Sequence, residues 1–289
     1  MAPSSREFRP DPGLRRELEG LRGRIGANRL GSDPVVFAHA AERQSTELVA
    51  FLASSLAFGN VKAIMASIAE LLERLGPRPF DAVIGRPGDI KRVLRGFRHR
   101  WAGEEDGAAL LIALGRLIRD LGSIEVAFRN ADVPSEPNYL VAMAQFADRL
   151  ATEAGVAARR RGFRFLVSHP SRGGAMKRMN LFLRWMVRPA DGVDLGWWTG
   201  FDPARLIVPL DVHVAFHGRV LGMSRRRTAD LTMALEVTEA LKALDPTDPL
   251  RYDFALCHLG IHGECQKRRV PSICSVCPIE AWCRLPKRP

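Results

Sequence analysis

Residues 265–283 read CQKRRVPSICSVCPIEAWC, and this stretch holds four of the five cysteines of the chain. The four are Cys265, Cys274, Cys277 and Cys283. Their spacing, C-x8-C-x2-C-x5-C, is typical of thiolates that share one ligand, which is either a tetrahedral zinc ion or an iron–sulfur cluster. The stretch therefore predicts a metal-bound loop near the C-terminal end of the sequence.

The chain is strongly basic, with a formal net charge of +11 over 289 residues and a pI of about 10.2. Residues 154–190 contain no acidic residue and nine basic ones, and a second basic run occupies residues 91–100. A third basic group, Lys267, Arg268 and Arg269, lies between the first two cysteines. Such charge attracts polyanions, because binding releases the counterions condensed on the polymer. The alternative is a high-arginine composition that only covers solvated faces.

An apolar fraction of 46% is typical of a folded globular protein. No apolar run approaches the about 20 residues of a membrane span. Residues 1–12 are polar and lack the apolar core of a secretory signal. We therefore expect a cytoplasmic, nucleoid-associated protein with no membrane partner and no disulfides.

The spacing of apolar residues predicts helices almost throughout. Residues 61–75 and 110–121 have clear helical stripes that end at Gly76 and Gly122. Further helices are expected at 36–58, 139–153, 175–187, 212–222, 228–244 and 250–260. Strand-like alternation of useful length is absent from the sequence, so the expected fold class is all-α. Loops are expected near 76–90, 131–138, 189–204 and 245–249.

Two predicted helix starts carry candidate catalytic residues. Gly173 and Gly174 precede a helix whose first backbone N–H groups attract phosphate, and Lys177 lies in its first turn. The helix dipole and the neighbouring Arg178 disfavour a cation there, which suits an amine nucleophile. Asp211 has the N-cap position of a later helix. A surface lysine beside DNA and an ordinary capping aspartate are the structural alternatives.

The order of these features resembles the helix-hairpin-helix DNA glycosylase superfamily, which includes endonuclease III. Asp-Val-His-Val at 211–214 is similar to that family's Asp-Thr-His-Val, and Lys-Arg-Met-Asn-Leu at 177–181 fits its Lys-Thr-Ala-Asn-Val. The cysteine spacing is close to the family's C-x6-C-x2-C-x5-C. A closer likeness is to an uncharacterised bacterial family with Leu-Phe-Leu-Arg-Trp-Met-Val-Arg, Pro-Leu-Asp-Val-His and the same cysteine loop.

The sequence departs from the superfamily at two places. The hairpin, usually Leu-Pro-Gly-Val-Gly, reads His-Pro-Ser-Arg-Gly-Gly at 169–174. A loop over 191–202, with Trp197 and Trp198, lengthens the separation between the lysine and the aspartate. The archaeal 8-oxoguanine glycosylases are similar in this longer separation. The two tryptophans are interpreted either as stacking on a flipped base or as filling an interface, and Cys257 as a buried spare thiol.

The resemblance implies a two-lobed helix-hairpin-helix DNA glycosylase-like fold with a four-cysteine iron–sulfur loop. Residues 36–188 would form a helical barrel lobe, and 1–35 with 189–289 the cluster lobe. The implied cofactor is a [4Fe-4S] cluster, with zinc as the alternative. The implied partner of the monomer is double-stranded DNA that contains a damaged or modified base. The implied DNA-binding residues are Arg172, Gly173, Gly174, Arg178, Lys267, Arg268, Arg269 and Asn60.

The activity that the resemblance implies is base excision, with Lys177 and Asp211 as the catalytic residues. Asp211 would stabilise positive charge on the sugar, and Lys177 would attack C1′ to form an imine that permits strand cleavage. Without that attack, Asp211 would direct water, which gives a glycosylase without lyase activity. Two other classes stay open: a non-catalytic DNA-binding iron–sulfur protein, and a redox-responsive DNA-binding regulator.

Overall fold

The computed structural model describes residues 8–286, so residues 1–7 and 287–289 of the predicted cluster lobe lie outside it. The described part is all-α, as the apolar spacing predicted, apart from the short antiparallel strands β1 (Arg98–His99) and β2 (Ala102–Gly103). Its helices are α1 (Pro12–Ile25), α2 (Val35–Ala40), α3 (Thr46–Ser55), α4 (Val61–Leu75), α5 (Pro79–Ile84), α6 (Pro87–Val93), α7 (Glu104–Leu121), α8 (Ile124–Ala131), α9 (Leu140–Ala154), α10 (Arg161–Leu166), α11 (Lys177–Val187), α12 (Val212–Val220), α13 (Leu231–Lys242), α14 (Asp253–Ile261) and α15 (Pro271–Cys274). Within residues 8–286, no helix has the length and apolar character needed to cross a membrane.

Two of the sequence-based boundaries were wrong. The single helix predicted over 36–58 is divided into α2 and α3, because Ala41 has an extended backbone with ψ of 148°. The loop predicted over 76–90 contains α5 and α6, which begin at Pro79 and Pro87. Proline has no backbone N–H, and the N–H of the first helical residue has no partner within the helix. Proline is therefore well suited to the first position of a helix, and here it begins two helices within the predicted loop.

Helix α3 lies in the core and is buried along almost its whole length. Its one residue that is not fully buried, Glu47, accepts hydrogen bonds from the backbone N–H of Ile124 (2.8 Å) and Glu125 (2.7 Å) and so caps α8. The indole N–H of Trp198 also donates to Glu47 (2.9 Å). Trp198 is therefore a core residue at 3% exposure, whereas Trp197 is 40% exposed.

A buried ion network joins the end of α11 to the loop that follows it and to the start of α14. Arg184 lies between Asp194 (N–O 3.2 Å) and Asp253 (3.1 Å). Arg188 pairs with Asp194 and with Asp248 (2.8 Å). Arg184, Arg188, Asp194 and Asp253 are each at most 3% exposed. Because buried charges are costly without partners, this network fixes α11 relative to α14.

Helix α1 packs against α14. Its buried face consists of Leu14, Leu18, Leu21 and Ile25. Arg251, just before α14, pairs with Glu19 of α1 (2.9 Å). Two arginines at the end of α1 and in the turn after it, Arg24 and Arg29, pair with Glu264. The N-terminal helix is therefore held to the segment that leads into the cysteine loop.

Removing one cation from the buried network tests its role in the fold. We expect Arg184→Met to lower the free energy of unfolding by about 3–5 kcal/mol, because it leaves Asp194 and Asp253 buried without their shared partner. Urea denaturation measures this change. Arg92→Met is the matched control, since Arg92 pairs with Asp89 on an exposed surface and its loss should change little. Equal stability of the two variants would contradict a structural role for the network.

Candidate functional site

A cleft of about 420 Å³ lies where the starts of α11 and α12 meet α14 and the turn before α4. Lys177, Asp211 and Cys257 are all on its walls. The fold thus brings the two predicted catalytic residues to one space, even though the loop carrying Trp197 and Trp198 separates them in sequence. The volume is in the range of small-molecule binding sites.

Lys177 is the first residue of α11, and its Nζ donates to the carbonyl oxygen of Ala57 (3.1 Å), just past the end of α3. Carbonyl groups at the end of a helix carry partial negative charge, so they hold an ammonium group well. The preceding residue, Met176, has φ of 52°, in the left-handed region that non-glycine residues rarely adopt. The strained Met176 and the bond to Ala57 together hold the amine at the cleft wall.

Asp211 caps α12 and also faces the cleft. Its Oδ1 accepts hydrogen bonds from the backbone N–H of His213 (2.8 Å) and Val214 (2.7 Å). Burial alone would raise the pKa of Asp211, but the charge of Lys177, the Val214 N–H and the Cys257 thiol together hold that pKa below its ordinary value. The carboxylate is therefore ionised at neutral pH. Asp211 therefore does cap α12, but it does so through Oδ1 alone, which leaves Oδ2 for other contacts.

Cys257 is a partner of Asp211, which the sequence did not indicate. Its Sγ donates to Asp211 Oδ2 (3.1 Å) across a separation of 46 residues. Burial, followed by the nearby Asp211 charge, raises the pKa of the Cys257 thiol well above its ordinary value, so the thiol keeps its proton. Helix α14 carries Cys257 one turn after Asp253 of the buried network. The network and the cleft wall therefore share one helix.

Asp33, Asp253 and His258 also line the cleft. His258 lies between Asp33 (Nε2–Oδ2 3.5 Å) and His262 (Nδ1–Nε2 3.2 Å). Burial raises the pKa of Asp253 to about 7, and the charge of Arg184 offsets this only in part. The sequence-based prediction did not include Asp33, Asp253 and His258 among the site residues. The signal that could have indicated them is the pair His258 and His262, which lie one helical turn apart at the end of α14.

The segment between α10 and α11 carries three of the predicted DNA-binding residues, and a fourth, Arg178, is the second residue of α11. Arg172, Gly173 and Gly174 are exposed, and Gly173 has φ of 69°. Arg172 donates to the carbonyl oxygens of Arg164 and Val167, so its guanidinium lies against the end of α10. Gly174 and Asp230 form an isolated antiparallel β-bridge, which joins the segment between α10 and α11 to the start of α13.

The fourth of these residues, Arg178, contacts protein groups. Its guanidinium carbon lies 3.8 Å from the ring centroid of Phe165 and 5.4 Å from that of Phe58. It donates to the carbonyl oxygen of Phe165 and to the hydroxyl of Ser168 (3.0 Å). Burial lowers the pKa of Arg178 to about 10, so it remains a cation at neutral pH. Arg178 therefore packs the start of α11 against Phe165 of α10 and against Phe58.

The other predicted DNA-binding residues lie on the turn before α4 and on the cysteine loop. Asn60 is exposed and caps α4 by accepting the Lys62 N–H (2.9 Å). Lys267 has φ of 58°, Arg268 is exposed, and Arg269 pairs with Glu280. Arg268 is thus the most accessible cation of the three on the loop.

The four cysteines line one enclosed cavity of about 30 Å³ together with His217. Burial raises the pKa of the Cys265 and Cys277 thiols, and the backbone N–H groups of Lys267 and Ile279 lower it in part. The Val270 N–H donates to Cys274 Sγ (3.4 Å).

The donor set and these N–H contacts suit a group held by four thiolates, because hydrogen bonds to sulfur stabilise such ligands. Within residues 8–286, however, no three His, Cys, Asp or Glu side chains are arranged closely enough to hold a metal ion. Binding would require the thiols to draw together.

A family model described as "Protein of unknown function (DUF2400)" matches residues 33–262. The matched region includes every cleft residue named above, and it ends before Cys265. No curated protein and no solved structure matches the chain.

The raised pKa of Asp253 predicts a specific dependence of stability on pH. The folded protein keeps a proton on this carboxyl up to about pH 7, whereas the unfolded chain releases it near 3.8. The folded state binds more protons between these values, so wild type should lose stability relative to Asp253→Asn as pH rises from about 4 to about 7. Urea unfolding of both proteins across this range measures the difference, with Asp89→Asn as the exposed control. A difference between wild type and Asp253→Asn that does not change with pH would contradict the burial effect.

Proposed function

We infer the function from the residues of the cleft. The chain belongs to the family described as protein of unknown function DUF2400, and this description names no activity. The proposed activity is excision of a damaged or modified base from double-stranded DNA, with abasic-site lyase activity. The observation that carries this proposal is the meeting of Lys177 and an ionised Asp211 in one cleft of a strongly basic protein. The proposal includes a two-lobed helix-hairpin-helix arrangement, with 36–188 as one lobe and 1–35 with 189–289 as the other.

Excision requires the target nucleotide to leave the base stack, because neither side chain reaches C1′ inside a duplex. As the bond from C1′ to the base breaks, the base takes the bonding electrons and the sugar gains positive charge. The Asp211 carboxylate stabilises that charge from the cleft wall. Its low pKa suits this task, since the group stays negative throughout the neutral range.

The lyase step uses the amine of Lys177. The amine gives up its hydrogen bond to Ala57 and passes a proton by way of Asp211 to the departing base, so that the carboxylate is left negative, and the lone pair of the amine then bonds to C1′. The C1′–O4′ bond breaks, O4′ takes a second proton from the nitrogen, and the resulting protonated imine permits β-elimination and strand cleavage. Cys257 holds Asp211 Oδ2 through its S–H and thereby orients the carboxylate toward this exchange.

We also propose that the four cysteines bind a [4Fe-4S] cluster, with zinc as the alternative. The shared cavity and the N–H groups aimed at sulfur support a four-thiolate site. When bound, the cluster would draw the loop together and present Arg268 toward a phosphate backbone. The proposed assembly is a monomer on DNA in the cytoplasm.

Borohydride trapping on abasic DNA tests the lyase step. Wild type should form a covalent crosslink, and Lys177→Ala should form none, because the imine nitrogen is lost. Asp211→Asn should slow base release by about 100-fold, because the sugar cation loses its counter-charge. Lys62→Ala, which changes an exposed lysine near the cleft rim, should behave as wild type. No crosslink with wild type, or an undiminished one with Lys177→Ala, would rule out the lyase proposal.

Metal analysis of cysteine variants tests the cluster. Purified wild type should contain iron and sulfide, and Cys277→Ser should lose both. Cys257→Ser is the matched control, because Cys257 contacts Asp211 and does not line the cysteine cavity. It should therefore keep the wild-type iron content. Zinc without iron in the wild type would select the alternative ligand, and a wild type with neither metal would refute a metal-bound loop.

A further inference from the structure

Trp101 is a large aromatic side chain that the fold leaves 40% exposed. It follows Arg100 at the turn between β1 and β2, and Arg100 has φ of 56°. The Trp101 ring packs against Phe165 (centroids 4.0 Å apart, planes at 71°) and lies 5.7 Å from Phe58. The ring is therefore supported from below by two aromatic residues while part of it faces solvent.

The turn between β1 and β2 is continuous with the rim of the cleft. Phe58 and Gly59 both line the cleft, and the Arg100 side chain lies across Gly59. A Cβ at Gly59 would lie 2.8 Å from the Arg100 guanidinium, and Gly59 has φ of 109°. Glycine is needed at this turn both for its backbone conformation and for the close approach of Arg100.

The surroundings of Trp101 are cationic. Arg98, Arg100, Arg161 and Arg164 are exposed, and the Arg161 guanidinium carbon lies 5.9 Å from the centroid of the Trp101 ring. The nearest acidic residues along the chain are already engaged: Glu104 accepts the Gly96 N–H, and Glu105 pairs with Arg160. An exposed ring among arginines is the arrangement that binds single-stranded nucleic acid, in which bases stack on the ring and cations hold the phosphates.

We propose that Trp101 is a stacking platform for an unpaired nucleobase of the bound DNA, and that Arg98, Arg100 and Arg161 hold the adjoining phosphates. This inference rests on the proposed DNA substrate and adds a contact outside the cleft. A duplex whose target nucleotide enters the cleft leaves an unpaired base nearby, and the platform at the cleft rim is placed to receive one.

Trp197 provides a matched control within the same chain. It has the same 40% exposure, and the Arg43 guanidinium carbon lies 5.9 Å from the centroid of its ring, as Arg161 does from that of Trp101. Trp101 lies beside Phe58, which lines the cleft, whereas neither Trp197 nor Arg43 lines the cleft. A general effect of removing an exposed tryptophan beside an arginine should therefore appear equally in Trp197→Ala and Trp101→Ala.

Equilibrium binding to two duplexes tests the platform, one fully paired and one with a single unpaired 2-aminopurine. Trp101→Ala should bind the unpaired-base duplex about 10-fold more weakly and the paired duplex almost as wild type does. Wild type should also quench 2-aminopurine fluorescence, and Trp101→Phe should keep most of the affinity. Trp197→Ala should match wild type on both duplexes. Equal behaviour of the two alanine variants, or equal losses on both duplexes, would overturn the inference.

The binding test of Trp101 and the borohydride test of Lys177 can fail independently of each other. If wild type binds the unpaired-base duplex through Trp101 but forms no imine crosslink and releases no base, excision fails and the platform stands. If trapping succeeds and Trp101→Ala binds as wild type does, the platform alone fails. If wild type binds neither duplex, both are overturned. Urea unfolding of each variant confirms that a loss of binding is not a loss of fold.

Discussion

The position of the candidate catalytic amine depends on the buried ion network around Arg184 and Arg188. Helix α11 begins with Lys177, Arg184 lies in its last turn and Arg188 directly follows it, so the contacts that fix this end of the helix also set where its first residue lies. The network ties this end to Asp253 at the start of α14. One turn later α14 carries Cys257, which donates to Asp211. The amine and the carboxylate are therefore placed relative to one another by buried charges, two of which, Arg184 and Asp253, lie on the cleft wall.

That arrangement also sets the protonation states within the cleft. Asp211 has a lowered pKa because Lys177, a backbone N–H and a thiol surround it. Asp253 has a raised pKa because it is buried and shares Arg184 with Asp194. Environments that push two carboxyl pKa values apart are typical of sites that need both a base and an acid. The cleft thus holds an ionised carboxylate and a carboxyl that titrates near neutrality.

Much of this was predictable from local sequence. Apolar spacing predicted the all-α class, and short-range helix signals placed Lys177 and Asp211 at two helix starts. The stretch 154–190, which has no acidic residue, was less informative, because a run of arginines does not reveal its partners. Arg184 and Arg188 are buried by aspartates that follow in the loop and in α14, and Arg178 packs on aromatic rings, while Arg161 and Arg164 remain on the surface. The contact of Cys257 was hidden for the same reason, since its partner lies 46 residues away.

Mass-spectrometric identification of the residue that borohydride links to abasic DNA tests the central claim most directly. The chain has six lysines, and Lys177 is the one that lines the cleft among the described residues. The pairing of Lys177 with Asp211 predicts that the sugar remnant is found on the peptide that contains Lys177. A remnant on Lys267 of the cysteine loop, on Lys62, or on any other amine would contradict it.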